Sequence, residues 1–499
     1  MTDLFGGTVL PWDPEAALRE TNPWWTGLPG PRLPVFRRAA FHEVMGKLTS
    51  GPAKCVVVRG PRQVGKTTLQ GQVIEHLVQT RSVDPKRILR VQFDDIPSLA
   101  RLPEPVLSVA RWFQAAVLGR TFNEAARRGE DAYLLLDEVQ NHPDWAPQVK
   151  FLVDHHDVRV LVTGSSSLRI EAGRDSLAGR ITSVEMGTLL LREVAGIRYG
   201  EDITPALPGN DIARIAEPAF WRGVAATASA DADLRNRAFA AFSERGGYPQ
   251  AQAEWDTPWP ELADRLNETV IQRAIRHDLR IGVRGQKRDE ALLEEVFRLA
   301  CRYAGQAAGP AVFVPEVQQA LRANAGWQRL LAYLKFLDGA LLIKLIPPLE
   351  VRLKKRRGQS KICLCDHALR ASWLREVVPL DSEALLAEPH LSDLAGHIAE
   401  SAAGYFLASI PGLDVAHFPE RGIEPEVDFI LTVGTKRIPV EIKYRRHIDP
   451  LDDTRGLRAF VEKAVYNAPF GLLVTMCDNV TVPDPRIVPL SLSQLLWMR

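Results

Sequence analysis

One nine-residue turn, residues 60–68 with the sequence GPRQVGKTT, constrains the fold of this chain more than any other feature. It follows a short apolar run, residues 54–59, which predicts a buried strand, and it leads into residues 66–79, which predict a helix. Continuous apolar strands separated by helices indicate an α/β domain with a parallel sheet covered on both faces. Three further apolar runs alternate with helical stretches, and they are residues 88–93, 133–137 and 158–163.

The turn matches the pattern G-x-x-x-x-G-K-[ST], in which backbone N–H groups and a helix N-terminus bind nucleotide phosphates. Lys66 is then expected to contact the β- and γ-phosphates of ATP, and the Thr67 hydroxyl to ligate Mg²⁺. A chance match is the alternative, and the position between a strand and a helix argues against it. The predicted ATP-binding residues are Gly60, Pro61, Arg62, Gln63, Val64, Gly65, Lys66, Thr67 and Thr68.

Two adjacent acids, Asp137 and Glu138, end the apolar run that begins at Tyr133. In open α/β sheets, ligands bind at the carboxyl ends of the strands, which is where this run delivers Asp137. We predict that Asp137 holds Mg²⁺ through water and that Glu138 polarises the water that attacks the γ-phosphate. The order Asp-Glu favours hydrolysis over nucleotide binding alone.

Two further residues at strand boundaries are candidates for the same chemistry. Ser165 follows the fourth apolar run, and its hydroxyl is predicted to contact the γ-phosphate or to orient the water, unless it only caps the next helix. Arg180 precedes a fifth predicted strand, residues 181–186, and its permanent charge suits a role as an arginine finger toward a neighbouring subunit. A surface or intrachain role is the alternative for Arg180, with Arg174 as the second choice for the finger.

The length of 499 residues predicts three or four domains rather than one. Changes in pattern divide the chain into an irregular leader rich in Pro and Trp, an α/β nucleotide-binding core, a helical lid or linker, a winged-helix-like unit, and a C-terminal α/β domain with a basic entry segment. In that order, the predicted segments are residues 1–35, 36–195, 196–285, 286–350 and 351–499.

The C-terminal domain offers a second group of acids. Asp428 begins one predicted strand, and Glu441 and Lys443 lie on the next, where both face the same side because strand side chains alternate. A hairpin between the strands would bring Asp428 and Glu441 together as ligands for Mg²⁺, with Lys443 beside a scissile phosphate. Glu400, on a predicted helix, is a weaker third member. A solvated edge hairpin is the alternative for the whole group, as is a nuclease fold kept only for binding DNA.

Two basic clusters are candidates for DNA binding, each long enough to neutralise several phosphates. One lies after residue 350, placed like the wing of a winged helix, and we count Lys361 with it; the other follows Lys443, beside the carboxylates. Solvated loop charge is the alternative for both clusters. The predicted DNA-binding residues are Lys354, Lys355, Arg356, Arg357, Arg445 and Arg446.

Composition narrows the classes of protein that remain. The formal net charge of +1 excludes a wholly basic nucleic-acid coat, so DNA contacts must come from local patches. The five scattered cysteines suit a reducing compartment, and Cys363 and Cys365 are expected to be ordinary core residues. No signal-like segment begins the chain, and no apolar run approaches the ~18 residues that span a bilayer. We therefore expect a cytoplasmic protein that makes no membrane contact.

Several motifs together resemble a widespread group of prokaryotic AAA+ ATPases: GPRQVGKTTL, LLLDEVQ, VLVTGSSS, LAGR and GGYP. In that group an archaeal-type ATPase domain is joined to a C-terminal domain of uncharacterised function. The resemblance runs from about residue 36 to about residue 475. It implies a winged helix followed by a fold similar to PD-(D/E)xK nucleases, although Val427 stands where that pattern has proline. It also implies a homo-oligomer, for which a hexameric ring is one form.

Three functions are compatible with these features. The first is a Mg²⁺-dependent ATPase that moves along or remodels branched or broken DNA, such as four-way junctions, with or without an associated nuclease activity. The second is a regulatory switch controlled by its nucleotide, with little turnover. The third is a nuclease gated by ATP, as in mobile-element or phage-defence systems. Glu138 and Arg180 favour turnover over a pure switch.

Overall fold

Two five-stranded sheets organise the described part of the chain, one in each of the units into which it divides, Met1–Met186 and Gly187–Arg499. The computed structural model describes residues 12–142, 144–164, 177–207, 209, 211–278, 289–322, 325–350, 358–420, 422 and 424–499.

The sheet of the first unit is parallel throughout, with its strands in the order β2-β3-β4-β1-β5. Every residue of β3 is buried, as expected for a central strand of a parallel sheet. These strands confirm the five predicted from short apolar runs, with small differences at their ends. Their bounds are β1 Cys55–Arg59, β2 Ile88–Gln92, β3 Ala132–Asp137, β4 Val158–Gly164 and β5 Ile181–Glu185.

Helices follow most strands of this sheet, so the carboxyl ends of the strands meet at one edge. Helix α3 has the bounds predicted for it, and α5 begins with a capping box between Thr121 and Glu124. In the described part of the unit the helices are α1 Trp12–Thr21, α2 Ala39–Ser50, α3 Lys66–Gln79, α4 Pro105–Phe113, α5 Phe122–Arg127 and α6 Trp145–His155.

The described part of the leader is more regular than predicted, because α1 and a short 3₁₀ helix, Pro23–Thr26, precede α2. Its side chains bind the outer edge of β2. Asn22 Nδ2 donates to the Arg90 carbonyl at 2.9 Å and Asn22 Oδ1 accepts from the Arg90 N–H at 2.7 Å. The Nε1 atoms of Trp24 and Trp25 both donate to the Ile88 carbonyl. The leader therefore occupies backbone groups that an edge strand otherwise exposes.

The second unit begins with helices, as predicted for residues 196–285. The segment between two of them, Gly246 and Gly247, is fixed by Asp366. The Gly247 N–H donates to Asp366 Oδ2 at 2.5 Å, and a Cβ atom on Gly246 would lie 2.0 Å from Asp366 Oδ1. The GGYP motif therefore permits a close approach to a buried carboxylate. These helices are α7 Leu191–Tyr199, α8 Pro218–Ala230, α9 Ala232–Arg245, α10 Pro249–Ala253 and α11 Trp259–Leu266.

Three helices and an antiparallel hairpin come next. The hairpin joins β6 Ile343–Ile346 to β7 Lys361–Leu364, with Ile346 opposite Lys361. The domain boundary predicted at residue 350 therefore falls inside the hairpin, since β7 pairs back onto β6. The three preceding helices are α12 Glu290–Arg302, α13 Pro310–Leu321 and α14 Trp327–Gly339.

The C-terminal sheet is mixed, in the order β12-β11-β10-β9-β8. Strands β8, β9 and β10 are antiparallel neighbours, whereas β10, β11 and β12 run parallel to one another. Its apolar core includes Phe418, Ile430, Leu457 and Phe460. The strands are β8 Asp414–Phe418, β9 Val427–Val433, β10 Lys436–Lys443, β11 Gly471–Thr475 and β12 Ile487–Ser491, and the helices are α15 His367–Leu374, α16 Ser382–Ala387, α17 Ser392–Ala408, α18 Arg455–Glu462 and α19 Leu492–Leu496.

Two observations bear on the expectations from composition. Cys363 and Cys365 are buried free thiols, as predicted for core cysteines. Within the described ranges, every helix is too short or too polar to cross a lipid bilayer.

Candidate functional site

The turn between β1 and α3 has the backbone shape that a phosphate-binding loop requires. Gln63 and Gly65 both have positive φ angles, +62° and +93°, so the chain reverses direction before α3 begins. A Cβ atom at Gly60 would lie 2.1 Å from the Met186 carbonyl oxygen, so only glycine fits at that position. The two glycines of the motif therefore have separate roles, one for close packing and one for the reversal.

Lys66, the lysine of the motif, is buried at the start of α3. Its ammonium donates to the carbonyl oxygens of Gly60 at 3.0 Å and Pro61 at 2.6 Å, so the side chain lies across its own turn. Arg38, which precedes α2, donates from Nη1 to the Val64 carbonyl at 2.8 Å. Sequence reasoning missed Arg38, since nothing in the local pattern links it to a turn 26 residues later.

Thr67 and Asp137 meet at the carboxyl edge of the sheet. The Thr67 hydroxyl donates to Asp137 Oδ2 at 2.8 Å. The other carboxylate oxygen accepts a hydrogen bond from Thr163, which lies opposite Asp137 in the parallel pairing of β3 and β4. Gln70 in turn donates to the Thr163 hydroxyl at 2.8 Å. These contacts fix the position of Asp137 from both sides.

This arrangement fits Mg²⁺ bound with a nucleotide. The ion prefers hard oxygen ligands, and a threonine hydroxyl with a carboxylate beside a phosphate-binding turn supplies that donor set. The two side-chain donors to Asp137 are neutral hydroxyls, so neither brings a positive charge that would compete with a cation.

Glu138 lies directly after β3 with a φ of +52°, an uncommon conformation for a residue other than glycine. Gln140 Nε2 donates to Glu138 Oε2 at 2.5 Å. Burial raises the pKa of Glu138 above its ordinary value, while the Lys66 ammonium opposes that shift and Asp137 adds to it. Gly164 makes room for Gln140, because a Cβ atom there would lie 2.2 Å from Gln140 Oε1. Neither Gln140 nor Gly164 was singled out from the sequence.

Arg180 lies away from this edge. It precedes β5, and the pairing of Cys55 with Ile181 places it level with the amino end of β1, whereas the phosphate turn follows the carboxyl end. Its Nε donates to Asp154 Oδ1 at 2.5 Å, and its side chain is 40% exposed. The predicted sensor Ser165 and the alternative finger Arg174 lie outside the described residues.

The second predicted group of residues does come together, within the second unit. Strands β9 and β10 form the expected antiparallel pair, and Asp428 Oδ2 accepts a hydrogen bond from the Ile442 N–H at 2.8 Å. The Lys443 ammonium donates to Glu441 Oε1 at 2.6 Å, which confirms that the two side chains share one face. Glu400 on α17 joins the group through Lys361, whose ammonium contacts both Glu400 and Asp428.

Lys361 corrects the sequence interpretation. We counted it with an exposed basic cluster, but its side chain is only 2% exposed. Its ammonium hydrogen-bonds to Glu400 and lies 3.1 Å from Asp428 Oδ1 and 3.7 Å from Glu426 Oε1. It was missed because the pairing of β7 with β6, rather than any local pattern, decides that this lysine is buried.

Burial and charge set the protonation of the cluster. Burial and the neighbouring Asp428 raise the pKa of Glu441 to about 8, against the opposing effect of Lys443. Burial and Asp428 also raise the pKa of Glu400, although Lys361 opposes this. Burial would raise the pKa of Asp428 as well, but Lys361 and hydrogen bonds lower it below its usual range. The three acids therefore share fewer than three negative charges near neutral pH.

A divalent metal ion fits this cluster less well than it fits the first unit. Lys361 already contacts Glu400 and Asp428, and both oxygens of Asp428 accept hydrogen bonds. Among the residues that the structure describes, no group of three or more His, Cys, Asp or Glu side chains is arranged to hold a metal ion. The predicted role of Asp428 and Glu441 as metal ligands stays a prediction.

The basic residues predicted to bind DNA are only partly described. Arg445 and Arg446 are exposed after β10, and Arg445 pairs with Asp453. The remaining four, Lys354, Lys355, Arg356 and Arg357, lie outside the described residues.

The fold of the first unit and the turn at its edge are those of a P-loop nucleotide-binding domain, and a comparison with protein families agrees. Residues 52–195 match a protein family described as an AAA domain. Together these observations support a P-loop ATPase domain of the AAA type.

The relatives of known sequence are themselves uncharacterised. Proteins of Mycobacterium tuberculosis and Mycobacterium bovis are each 28% identical to this chain over 233 residues, 45% of this chain and 46% of the relative. A protein of Methanocaldococcus jannaschii is 29% identical over 138 residues, 28% of this chain and 27% of the relative. The chain therefore matches less than half of the length of each of these relatives.

Two solved structures show a distant likeness. A Walker-type ATPase of Pyrococcus abyssi is 12% identical with a TM-score of 0.37, and the alignment covers 68% of this chain and 95% of that protein. The ORC1 protein of Aeropyrum pernix, solved in complex with DNA, is 16% identical with a TM-score of 0.25, over 76% of this chain and 95% of its own.

Proposed function

We propose that this protein is a Mg²⁺-dependent AAA+ ATPase that acts on DNA, as a motor or remodeller of branched or broken duplexes. The observation that carries the ATPase part is the 2.8 Å contact between Thr67 and Asp137, beside a turn with the backbone of a phosphate-binding loop. A cytoplasmic location is part of the same proposal.

Each residue at this edge has a distinct role in the proposed hydrolysis. Mg²⁺, when bound with ATP, neutralises charge on the β- and γ-phosphates. Lys66 is released from the carbonyls of its own turn to contact those phosphates, while Thr163 and Gln70 hold Asp137 in place. Glu138 accepts the proton of the attacking water, for which it must be ionised. Burial raises the pKa of Glu138, and the Lys66 ammonium opposes that rise and so favours the ionised form.

The DNA part of the proposal rests on the second unit. The order of α12, α13 and α14 followed by the β6–β7 hairpin is that of a winged helix, and the basic residues 352–357 lie between β6 and β7 in the sequence, where a wing would be. The mixed sheet with α17 before it and α18 between β10 and β11 has the element order of PD-(D/E)xK folds. Exposed Arg445 and Arg446 adjoin that sheet and suit phosphate contacts.

ATP turnover in the proposal involves a neighbouring subunit. Arg180 lies at the opposite end of the strands from the phosphate turn, so it suits the site of a second copy rather than its own. The proposal therefore includes a homo-oligomer, such as a hexameric ring. Mixing two variants tests the proposed role of Arg180. We expect Lys66→Ala and Arg180→Ala chains each to lack ATPase activity, and we expect their mixture to regain part of it. Arg128→Ala, an exposed arginine of the same unit, is the control. If Arg180→Ala alone keeps full activity, the finger assignment fails.

The experiment that tests the whole proposal measures phosphate release with no DNA and with linear, single-stranded and four-way-junction DNA. We expect DNA to raise the rate, most strongly for the branched substrate, and Lys66→Ala to abolish it under every condition. A rate that no DNA changes would contradict the motor while leaving the ATPase intact. No hydrolysis by the wild-type protein would contradict both.

One observation favours a second candidate, a switch controlled by nucleotide. Gln140 binds the Glu138 carboxylate at 2.5 Å, which restrains the group that must accept the proton. If turnover stays slow with every DNA and rises when Gln140 is replaced, regulation by nucleotide state is the better description.

A further inference from the structure

Lys361 is a buried charged residue whose position neither the proposed ATPase nor a DNA-binding surface explains. Its ammonium is buried against the carboxylates of Glu400 and Asp428 and lies 5.1 Å from the centroid of the Phe429 ring. An isolated lysine costs too much free energy to bury, so it needs carboxylates or a ring face around it, and here it has both. Glu400 and Asp428 need a partner in turn, because a buried carboxylate must be protonated or paired with a cation.

The contacts of the acids leave little room for a second cation. Asp428 accepts hydrogen bonds at both oxygens, from Lys361 and from the Ile442 N–H. Glu441 accepts from Lys443 at Oε1. Its Oε2 atom is buried without a hydrogen-bond partner among the described residues, so it is a position from which a further ligand could be bound. A divalent ion at that oxygen would need its other ligands from water, and the Lys361 and Lys443 ammonium groups beside the acids would repel it.

We propose that the Lys361 ammonium is a resident cation of this cluster, in the place that a divalent metal ion would need between Glu400 and Asp428. The wild-type C-terminal sheet then binds no divalent ion at these acids and serves as a structural and DNA-binding unit without metal-dependent cleavage. This inference does not depend on ATP hydrolysis in the first unit.

Because of its position in the chain, Lys361 also connects secondary-structure elements of the second unit. It is the first residue of β7 and lies opposite Ile346, so the ammonium fastens the hairpin to α17 and β9. A metal ion in its place would hold the two acids but not the hairpin. The ammonium therefore adds to the other contacts between β7 and α17, such as the hydrogen bond that the Leu364 N–H donates to Ser401 Oγ at 2.8 Å.

The test is Mn²⁺ binding by the full-length chain without nucleotide, followed by the electron paramagnetic resonance signal of free Mn²⁺. We expect no saturable binding to wild type that Asp428→Asn removes. Lys361→Met should gain one bound Mn²⁺ per chain, with affinity at least about 10-fold above that of wild type. The gain should disappear in Lys361→Met with Asp428→Asn. Lys344→Met, on the paired strand β6, is the matched control and should behave as wild type.

Two further measurements keep the test decisive if the loss of the buried ammonium prevents Lys361→Met from folding. Lys361→Gln keeps a hydrogen-bond donor beside Glu400 and Asp428 without the charge, so it should fold, and it should bind Mn²⁺ more tightly than wild type. The comparison of wild type with Asp428→Asn needs no change at Lys361. If wild type binds one Mn²⁺ that Asp428→Asn abolishes, the inference is wrong, whatever the ATPase assays show.

Discussion

The two acidic sites of this protein use the same types of residue and differ in what surrounds the acids. In the first unit, Asp137 accepts hydrogen bonds from two neutral hydroxyls, while Lys66 points to backbone carbonyls. In the second unit, lysines bind the carboxylates directly, Lys361 at Asp428 and Lys443 at Glu441. Neutral donors orient a carboxylate without adding positive charge, whereas ammonium groups offset its negative charge. The comparison teaches that partners, rather than the acids themselves, decide whether a cluster is ready for a metal ion.

The largest expected effect comes from replacing the lysine of the phosphate-binding turn. Lys66→Ala should lower the rate of ATP hydrolysis by ~100-fold or more, because the transferring phosphoryl group loses its charged donor. Steady-state phosphate release measures this. Lys86→Ala, an exposed lysine between α3 and β2, should have no effect. Comparable rates for Lys66→Ala and wild type would place the active site elsewhere.

The next effect concerns the stability of the second unit. Lys361→Met should lower the free energy of unfolding by about 3–5 kcal/mol, since it leaves buried carboxylates without their cation. Lys443→Met should cost less, because that side chain is 31% exposed. Urea denaturation followed by circular dichroism measures both. Equal losses for the two variants would show that Lys361 is not the principal cation of the cluster.

The free energy of unfolding should also depend on pH through Glu441, in the second of the two sites. The pKa of Glu441 rises from 4.5 to about 8 on folding, so the folded protein binds a proton there that the unfolded chain releases. Its contribution to the free energy of unfolding is therefore full below about pH 4.5 and is lost as the pH rises to about 8, by at most about 1.4 kcal/mol per pH unit.

Glu441→Gln stays neutral and should lack this loss. The measurement is urea denaturation of both proteins from pH 5 to pH 8.5 in the presence of EDTA, which keeps divalent ions from the acids. Parallel pH profiles for the variant and wild type would show that Glu441 is already ionised across this range.

The smallest expected effect comes from replacing Gln140, and it tests how Glu138 is held. Gln140→Ala removes a hydrogen bond worth about 1 kcal/mol and so should raise the DNA-free rate of ATP hydrolysis by roughly fivefold. Measuring the rate with and without DNA tests this, and we expect the stimulation by DNA to shrink in the variant. A fall in the DNA-free rate would mean that Gln140 positions Glu138 for catalysis instead of restraining it.

Much of the first unit was predictable because its signals are local. Apolar runs set the strands, and the pattern of Gly60, Gly65, Lys66 and Thr67 fixed the turn. The carboxyl end of β3 then placed Asp137 next to Thr67, as its position in the sequence implied. Gln70 was also within reach of sequence reasoning, since it lies one helical turn after Thr67 and therefore on the same face of α3.

Other features depend on contacts between distant parts of the chain. The burial of Lys361 follows from strand pairing across the segment after Ile346, and its basic neighbours in the sequence suggested the opposite. Arg38 reaches Val64 only because the start of α2 packs near the turn. Helix α1 was missed because proline and tryptophan dominate the leader, although residues 15–18 favour a helix.

The binding of the leader to β2 has a practical consequence for work on the isolated ATPase domain. A shortened protein that starts near residue 52, where the family match begins, would lack Asn22, Trp24 and Trp25. The Ile88 and Arg90 backbone groups would then face solvent along an apolar strand, where another molecule can add its own strand. Self-association of such a fragment would reflect this unprotected margin of the sheet, and it should not be read as the oligomer that hydrolyses ATP.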